Sequence, residues 1–450
     1  MITFTCCLIA LIVGYFTYGK FVERVFGVDP SRVTPAFTKQ DGVDYIPLPT
    51  WKIFMIQFLN IAGLGPIFGA IMGAKFGVAS FLWIVLGSIF AGATHDFLSG
   101  MLSLRHDGES LPELIFTVIL MILVGAVFVA GPAGLLAKLT PEYLDATFWI
   151  IVVFIYYILA TLLPVDKIIG KIYPLFAIAL LFMAVGILVM LFINQPPLPE
   201  ITDGLSNTHP GGLPIFPIMF VSIACGAISG FHATQSPLMA RCMKSEKYAR
   251  PVFYGAMITE GIVALIWAAA ATYFFHNNGM EENNAAVVVD SITKEWLGAV
   301  GGVLAILGVI AAPITFRSAR LIVADFLQME QKTVVKRLMI CIPMFIVAIG
   351  ILLYSQKDKD GFDMIWRYFA WSNQTLAVFT LWALTVYLVQ AKKLYVITLI
   401  PALFMTAVCS TYIFVAPEGF GLSSGFSQLL GLLVTLIVFG IFLVWKRKKV

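Results

Sequence analysis

The fold of this chain is decided by residues 57–70, which read Gln-Phe-Leu-Asn-Ile-Ala-Gly-Leu-Gly-Pro-Ile-Phe-Gly-Ala. This polar and glycine-rich run interrupts a hydrophobic segment that is long enough to cross a membrane. Since a bilayer core offers no water to backbone N–H and C=O groups, a crossing tolerates Gly63, Gly65 and Pro66 together only where protein or an aqueous cavity satisfies those groups. Residues 57–70 therefore predict a broken crossing beside a binding site.

A second interruption of the same kind occupies residues 225–237, which read Cys-Gly-Ala-Ile-Ser-Gly-Phe-His-Ala-Thr-Gln-Ser-Pro. Two broken crossings in one chain are typical of secondary transporters, in which half-helix N-termini present free N–H groups and a positive dipole end to an anionic substrate. We assign substrate contacts at the two breaks to Asn60, Gly63, Gly65, Pro66, Ser229, Gly230, His232 and Gln235.

The composition is that of an integral membrane protein. Of the 450 residues, 60% are hydrophobic and 12% are charged, and the mean hydropathy is +0.93, which lies outside the range of soluble domains. The sequence contains neither a phosphate-binding G-x-x-x-x-G-K-[ST] loop nor an H-E-x-x-H zinc motif, and no pair of nucleophile and base stands out. We therefore expect a membrane protein that is not an enzyme and that has no cofactor and no bound metal.

Hydrophobic segments of roughly 17 to 25 residues, the length that a transmembrane helix requires, recur along the chain. The loops between them hold 21 Lys and Arg residues on one side and 6 on the other, which predicts an outside N-terminus and a cytoplasmic C-terminus. The 13 predicted crossings are residues 2–18, 53–74, 76–102, 114–137, 146–163, 172–193, 215–231, 252–275, 296–325, 338–354, 364–388, 394–414 and 426–445.

The two broken crossings are the second and the seventh, five apart. A repeat of five crossings, an odd number, returns the chain in the opposite orientation, so two such units are inverted copies. We predict a single all-α transmembrane domain. Its parts are a peripheral helix with a cytoplasmic loop (1–50), a first five-helix repeat (51–200), a second five-helix repeat (201–392) and two C-terminal helices (393–450).

Glycines recur at every fourth position in the first broken crossing, at Gly65, Gly69 and Gly73, and Gly226 and Gly230 have the same spacing in the second. This spacing is typical of close helix packing, and we favour packing for Gly69, Gly73 and Gly226. Polar residues and proline flank Gly65 and Gly230, where we favour a break in the helix.

Ionisable side chains inside predicted crossings are costly and mark functional sites. Asp96 lies nine residues before Arg105, on the order of 13 Å into the membrane at 1.5 Å per residue, and Glu260 lies at a similar depth. We assign proton coupling to His95, Asp96 and Glu260. Arg317 has two interpretations: it binds the substrate carboxylate, or it neutralises one of the two acids in a structural pair.

Asn373 and Gln374 lie near the middle of the eleventh predicted crossing, where residues 371–375 read Trp-Ser-Asn-Gln-Thr. Side-chain amides donate and accept hydrogen bonds without carrying charge, which suits a substrate cavity, and we include both residues among the substrate contacts. Hydrogen bonding between helices is an equally good interpretation of this pair.

Several motifs carry a resemblance to a known family. They are Gly-Val-Asp-Pro at 27–30, Thr-Pro-Ala at 34–36, Asp-Gly-Val-Asp-Tyr at 41–45, the run 57–69, His-Asp-Phe-Leu-Ser-Gly-Met-Leu-Ser-Leu-Arg at 95–105, and Arg-Ser-Ala-Arg at 317–320. In these motifs the chain resembles the carbon starvation protein A family of bacterial transporters.

The resemblance implies a proton-coupled transporter of peptides or pyruvate in the bacterial cytoplasmic membrane. The superfamily in which that family is grouped implies a LeuT-like core of five plus five helices. Members of the family carry a short polar stretch similar to Ser-Gly-Asp-Thr-Ala where this chain runs directly from Thr315 to Phe316. Loss of that stretch would put the ninth-crossing part of an ion site in doubt, whereas a gap between Thr315 and Phe316 would indicate missing residues.

We expect a secondary active importer of pyruvate or a similar small carboxylate, working by proton symport in the response to carbon starvation. Peptide is the alternative substrate, and sodium is the alternative coupling ion. A membrane nutrient sensor that binds the same ligand is the alternative from another class, although no predicted loop has room for a signalling domain. The expected partners are solute, ion and membrane lipid, with no nucleic acid, and the oligomeric state is left open.

Overall fold

The computed structural model describes residues 1–109, 114–162, 169–280, 284–310, 314–331, 333–357 and 361–449. These ranges are helical and contain no β-strand. Short π-helical turns occur at Gly87–Gly92, Ile215–Met219 and Arg250–Tyr254. The helices are α1 (Ile2–Phe16), α2 (Tyr18–Phe26), α3 (Pro35–Thr38), α4 (Thr50–Ile61), α5 (Leu64–Ala74), α6 (Val78–Leu86), α7 (Ala93–Arg105), α8 (Leu114–Leu139), α9 (Ala146–Leu162), α10 (Ile169–Asn194), α11 (Phe220–Ser222), α12 (Phe231–Ala240), α13 (Gly255–Asn278), α14 (Ala285–Ile310), α15 (Ile314–Phe326), α16 (Val334–Lys357), α17 (Gly361–Gln390), α18 (Val396–Val415) and α19 (Ser424–Lys449).

The prediction of an all-helical membrane protein is confirmed. Within the described ranges, 9 helices are long and apolar enough to cross a membrane, or 10 if the bent pair α4 and α5 forms one crossing. The other predicted crossings fall on shorter or interrupted elements, namely α9, the segment from Ile215–Met219 to α12, and α14 with α15. The count of thirteen and the domain boundaries therefore stay predictions.

The first break lies between α4 and α5, within the run that the sequence singles out. The helix α4 ends at Ile61, and the N–H of Ala62 donates to the carbonyl oxygen of Phe58 at 2.7 Å. After a bend of 45°, α5 begins at Leu64. Pro66 lies in the first turn of α5, where its missing N–H costs no hydrogen bond within the helix. Proline therefore starts the second half of this crossing without disrupting it.

The second break lies upstream of the predicted position. The chain leaves the helix after Ser222 and resumes it at Phe231, so residues 223–230 are non-helical. The predicted interruption extended to Pro237, but α12 continues through this residue to Ala240. That part of the prediction is wrong. A proline inside a membrane helix costs a hydrogen bond, but neighbouring helices and local adjustments hold the helix together.

The two broken crossings pack directly against each other, and glycines make the contact possible. A Cβ atom added to Gly65 would lie 2.4 Å from the Sγ of Cys225. A Cβ added to Gly69 would lie 2.8 Å from the carbonyl oxygen of Ser222. The spacing of four residues thus serves close packing, as predicted for Gly69, and it does so at Gly65 as well, where we expected only a break.

The unwound residues 223–230 are enclosed on their other sides by α13 and by the π-helical turn before α7. A Cβ added to Gly226 would lie 2.6 Å from the Cβ of Ala264 on α13. A Cβ added to Gly92 would lie 2.4 Å from the carbonyl oxygen of Ala227. Small residues on several helices therefore let the backbone of the second break lie in the interior of the protein, away from lipid.

The predicted ninth crossing, residues 296–325, corresponds to two helical pieces. The first follows a kink in α14 at Gly298, where φ is 62°, a conformation that favours glycine. The second, α15, passes through Thr315 and Phe316 without a gap. Residues 311–313, between the two pieces, lie outside the described residues.

Replacing Gly65 by Ala should destabilise the protein, because the added methyl group overlaps Cys225 and overpacking of this kind costs about 1 to 3 kcal/mol. We expect a lower midpoint temperature of thermal unfolding (Tm) in detergent. Combining Gly65→Ala with Cys225→Gly removes the overlapping atoms and should restore part of the loss.

Gly350→Ala is the matched control for this experiment. Gly350 is an exposed residue of α16, and no atom lies within 4 Å of the position of an added Cβ. Its Tm should equal or exceed that of the wild type, because Ala favours helix over Gly. An unchanged Tm for Gly65→Ala would contradict the close contact between the two broken crossings.

Candidate functional site

Buried titratable side chains form a chain of four next to the second break. The Nδ1 of His95 lies 2.8 Å from Oδ1 of Asp96. The Nδ1 of His232 lies 2.8 Å from Oδ2 of Asp96, and its Nε2 lies 3.4 Å from Oε2 of Glu260. All four side chains are fully buried. His232 therefore connects two carboxylates, and its imidazole has one ring nitrogen for each of them.

Three separate elements bring this chain together. His95 and Asp96 lie in the first turn of α7, and Glu260 lies in the second turn of α13. His232 is the second residue of α12, directly after the unwound residues 223–230. The helix α7 packs against both α12 and α13. The sequence named the first three as a coupling group and His232 as a substrate contact, whereas the structure places all four in one cluster.

Glu260 accepts no hydrogen bond from the part of the chain that the structure describes, although both of its carboxylate oxygens are buried. A buried ionised carboxylate is costly unless it is paired or hydrogen-bonded. The imidazole of His232 and a bound proton are the two means by which Glu260 can be neutralised here. The geometry therefore suits a group that takes up and releases a proton.

Asn373 of α17 caps the start of α12. Its Oδ1 accepts hydrogen bonds from the N–H of Phe231 at 2.8 Å and from the hydroxyl of Ser229 at 3.0 Å. Its backbone carbonyl accepts a hydrogen bond from the N–H of Gly230 at 3.2 Å. Three donors at this half-helix end are thus occupied by Asn373. The predicted anion site at residues 229–232 is filled from within the protein.

Gln374 binds the other side of the same break. Its Nε2 donates to the carbonyl oxygens of Phe220 at 3.1 Å and Ala224 at 3.3 Å. Backbone groups freed in a membrane crossing need partners inside the protein, and Asn373 and Gln374 together supply acceptors and donors. Hydrogen bonding between helices, one of the two interpretations of this pair, is therefore the geometry that the structure shows.

Two buried amide side chains on α4 have no hydrogen-bond partner among the described residues. They are Gln57 and Asn60, which are one turn apart and are 0% and 2% exposed. An unpaired buried polar group costs about 1 to 3 kcal/mol, so these four polar atoms indicate a place where water or a ligand binds. Asn60 is among the substrate contacts predicted from the sequence, whereas Gln57 is not, although the spacing of one helical turn could have indicated it.

Asn60 and Glu260 lie on two helices that pack against each other. The helices α4 and α13 lie side by side where Gly255 approaches Phe54, and both crossings lead to the layer of Gly226, which touches each of them. Asn60 lies six residues after Phe54, and Glu260 lies five residues after Gly255, about 8 to 9 Å along each helix at 1.5 Å per residue. The two side chains are therefore buried at similar distances from the contact of Phe54 with Gly255.

Gln235 and Arg317 lie at contacts that the sequence did not indicate. The Oε1 of Gln235 accepts a hydrogen bond from the hydroxyl of Ser318 at 3.0 Å, which joins α12 to α15. The Nη2 of Arg317 lies 2.6 Å from Oδ1 of Asp44, a buried residue of the loop before α4. The predicted pairing of Arg317 with Asp96 or Glu260 is wrong, because this loop folds against α15 and supplies its own carboxylate.

A cavity of about 350 Å³ lies along α5, the second half of the first broken crossing. Phe68 and Trp366 contribute to its wall with ring centroids 5.7 Å apart, and Ser222 and Arg367 also line it. Phe68 follows the first break, and Ser222 is the last helical residue before the second. The cavity therefore lies beside both broken crossings.

Sequence comparison matches this chain to a known family. A model of the carbon starvation protein CstA family matches residues 1–119, 113–303 and 302–412. An uncharacterized membrane protein of Haemophilus influenzae is 44% identical over 331 residues, which is 59% of this chain and 89% of that protein.

Two named relatives from Escherichia coli are more distant. The peptide transporter CstA is 29% identical over 336 residues, and the pyruvate/proton symporter BtsT is 28% identical over 337 residues. Each match covers 57% of this chain and 47% or 46% of the relative. The chain thus matches about half the length of these transporters.

Solved structures share the fold at low sequence identity. A mutant of the manganese transporter of Eremococcus coleocola superposes with a TM-score of 0.57 at 13% identity, over 91% of this chain and 98% of that one. MhsT in complex with L-phenylalanine superposes with a TM-score of 0.55 at 13% identity, over 87% and 98%. This likeness concerns the fold alone. Because the family model matches most of the sequence, the chain belongs to the carbon starvation protein CstA family.

Proposed function

We propose that this protein is a secondary active transporter that imports a small solute together with a proton. The observation that carries the proposal is the position of His232. Its ring lies between Asp96 and Glu260, directly after the unwound residues of a broken crossing. A solute that contacts the break would act on His232. A proton that moves between Asp96 and Glu260 would act on the same residue.

The contacts among the four titratable side chains suggest how the proton is carried. A proton taken up at Glu260 removes its buried charge, and the imidazole of His232 can pass a proton between Glu260 and Asp96. His95 holds the second oxygen of Asp96 and so fixes its orientation. Because α12 begins at the break, a change of charge at His232 would be felt by the unwound residues. This is the coupling that symport requires.

The substrate would bind in the layer of Gln57 and Asn60. The unpaired side-chain oxygens of these amides and of Glu260 are acceptors, while the amide nitrogens are donors. A short peptide offers an ammonium group and amide N–H groups as donors, and a carboxylate as acceptor. Pyruvate offers acceptors only. This set of donors and acceptors therefore favours a peptide substrate, whereas the sequence alone favoured pyruvate.

Pyruvate is the second candidate. The amide nitrogens of Gln57 and Asn60 could hold its carboxylate, and the relative BtsT is named a pyruvate/proton symporter. Arg317, expected to bind the carboxylate, is already paired with Asp44. A pyruvate site would therefore rely on uncharged donors and the histidines.

The transport cycle would follow from the arrangement of the repeats. We propose thirteen crossings with an inverted five-plus-five core, since the two breaks contact each other as inverted repeats require. Rocking of one bundle about the breaks would expose the solute layer alternately to the two sides. A sensor that binds the same ligand without moving it would show binding but no exchange of solute across the membrane.

Replacing Glu260 by Gln should uncouple uptake from the proton gradient, because an amide cannot take up the proton. In proteoliposomes with an alkaline interior, we expect uptake of a labelled dipeptide to fall about tenfold or more, a factor worth 1.4 kcal/mol. Asp96→Asn should have the same effect. Exchange of solute at equal pH should persist in Glu260→Gln, since this step moves no net proton.

Glu295→Gln is the matched control, because Glu295 is an exposed acid outside the cluster. It should transport at the wild-type rate. If both cluster variants take up the dipeptide at the wild-type rate and with unchanged dependence on the gradient, Asp96 and Glu260 have a purely structural role.

Replacing Gln57 by Leu should raise the KM for the dipeptide about tenfold, the effect of losing one or two hydrogen bonds worth about 1 kcal/mol each. The same change removes an unpaired buried amide, so Tm should stay equal or rise. Gln428→Leu, at an exposed position of α19, should change neither value. Inhibition of wild-type uptake by unlabelled pyruvate but not by unlabelled dipeptide would reverse the proposed order of substrates.

The basic tail at Lys446, Arg447, Lys448 and Lys449 should lie in the cytoplasm. In inside-out vesicles a protease should remove a C-terminal epitope tag, and in intact spheroplasts the tag should be protected. Protection in the vesicles and cleavage in spheroplasts would invert the proposed orientation.

A further inference from the structure

The loop before α4 carries a buried acid bound by two arginines. Asp44 is 1% exposed, although it belongs to a connecting segment. Its Oδ1 accepts hydrogen bonds from Arg317 at 2.6 Å and from Arg320 at 3.2 Å, and Oδ2 lies 3.3 Å from Arg320. Both arginines lie on α15 and are themselves 0% exposed. The loop is therefore anchored to α15 by charged groups that are shielded from solvent.

The segment around Asp44 forms a hydrogen-bonded turn. The Oδ1 of Asp41 accepts hydrogen bonds from the N–H groups of Val43, Asp44 and Tyr45 at 2.8 to 2.9 Å. This turn closes the segment on itself and presents the Asp44 side chain to α15. Residues 41–48, which we call the latch segment, are thus a preformed unit rather than an extended linker.

The latch segment also covers the end of α12. The N–H of Leu48 donates to the carbonyl oxygen of Cys242 at 3.1 Å, and the thiol of Cys242 lies 3.7 Å from the carbonyl oxygen of Asp44. The guanidinium of Arg241 lies over the ring of Tyr45 at 5.1 Å. As a result Cys242 is fully buried, although it follows the last residue of the helix.

The charge on Asp44 does not depend on ordinary changes of pH. Burial opposes ionisation, but the guanidinium groups of Arg317, Arg320 and Arg241 outweigh burial and hold the pKa of Asp44 well below its usual range. A carboxyl with a lowered pKa keeps its stabilising charge until the pH falls through that value. Asp44 therefore stays ionised throughout the physiological range, unlike a group that carries a transported proton.

The latch segment and the aromatic cavity lie at opposite ends of the first broken crossing. The segment ends two residues before α4 begins at Thr50, while the cavity is lined by Phe68, Met72 and Phe76 of α5. Between these ends lies the layer of Gln57 and Asn60. The latch end is covered, whereas the other end carries the cavity.

We propose that residues 41–48 are a gate for the α4 end of the transport path, and that the contacts of Asp44 with Arg317 and Arg320 hold it shut. The inference rests on the proposed transport function, because a gate has meaning only where a solute passes. Release of solute on this side requires α12 and α15 to separate from the latch segment. Asp44 is a positioning residue in this scheme, since it acts through the arginines and does not contact the solute layer.

Cys242 is a native reporter of the gate, because the latch segment covers its thiol. The probe is N-ethylmaleimide, applied to the full-length protein in detergent at fixed pH. Asp44→Asn weakens both arginine contacts and should speed modification of Cys242 at least tenfold. Tyr45→Phe removes only the hydrogen bond from its hydroxyl to the carbonyl oxygen of Asp107, and should give a smaller increase of twofold or more. The other cysteines are replaced by Ala in all variants: Cys6, Cys7, Cys225, Cys341 and Cys409.

The matched control is Asp107→Asn. The side chain of Asp107 is 60% exposed and pairs with Lys39 at 3.1 Å, while its backbone carbonyl, which accepts from Tyr45, is retained. Modification of Cys242 should be unchanged in this variant. Size-exclusion profiles and Tm report whether each variant is folded, and Tyr45→Phe keeps the test decisive if Asp44→Asn does not fold.

The labelling needs neither solute nor gradient, so it separates the gate from the transport proposal. Faster labelling of the latch variants, with no uptake of peptide or pyruvate by the wild-type protein, would support a movable cover and overturn the transport function. Measurable uptake with unchanged labelling in both latch variants would overturn the gate. Faster labelling together with loss of gradient-driven accumulation is the expected result, because a gate that no longer closes lets the solute leak back.

Discussion

The middle of a bilayer offers no water, and the rest of this structure depends on how the unwound residues 223–230 satisfy their backbone groups without it. Asn373 accepts hydrogen bonds from the start of α12, and Gln374 donates to carbonyl groups of the break. The hydroxyl of Ser88 donates to the carbonyl oxygen of Gly226 at 3.1 Å. These side chains come from α17 and the turn before α7, so the break can exist only in the assembled bundle.

This constraint explains the position of the titratable cluster. Because α12 must restart directly after the break, His232 is held in the protein interior with both ring nitrogens near carboxylates. Asp96 and Glu260 come from helices that enclose the same break. A buried charge with so few partners is costly, and such a cost is typical of sites where charge changes during function. The titratable side chains that lie beside the break can therefore sense the state of a proton.

The two ends of the first broken crossing are built from different chemistry. The α5 end is lined by aromatic side chains around a cavity, and the end before α4 is covered by a loop bound through buried charges. Buried ion pairs give little net stability over apolar packing, but they are specific in geometry and strongly dependent on both partners. A contact with these properties can separate and re-form as a unit, whereas interdigitated apolar packing resists partial opening. The asymmetry is consistent with a path that opens at one end at a time.

Much of the fold followed from the sequence alone, because lipid imposes a simple rule on it. Long apolar segments must be helices in a membrane, and glycine and proline at Gly63 to Pro66 mark the place where a helix breaks. The recurrence of glycine at every fourth residue likewise predicted close packing. Asp96 and Glu260 could be selected as unusual because an ionisable group at that depth is costly in any arrangement.

The partners of these residues could not be read from the sequence, because they are set by contacts between distant segments. The link of His232 to both acids joins positions 96, 232 and 260, and the pairing of Arg317 with Asp44 joins positions 273 residues apart. The second break also shifted, since neighbouring helices keep α12 helical through Pro237. Local composition thus determined which segments are long and apolar enough to cross a membrane and where charge is unusual. Only the packed structure decided which donor meets which acceptor, because hydrogen bonds and ion pairs depend on distances that no local pattern fixes.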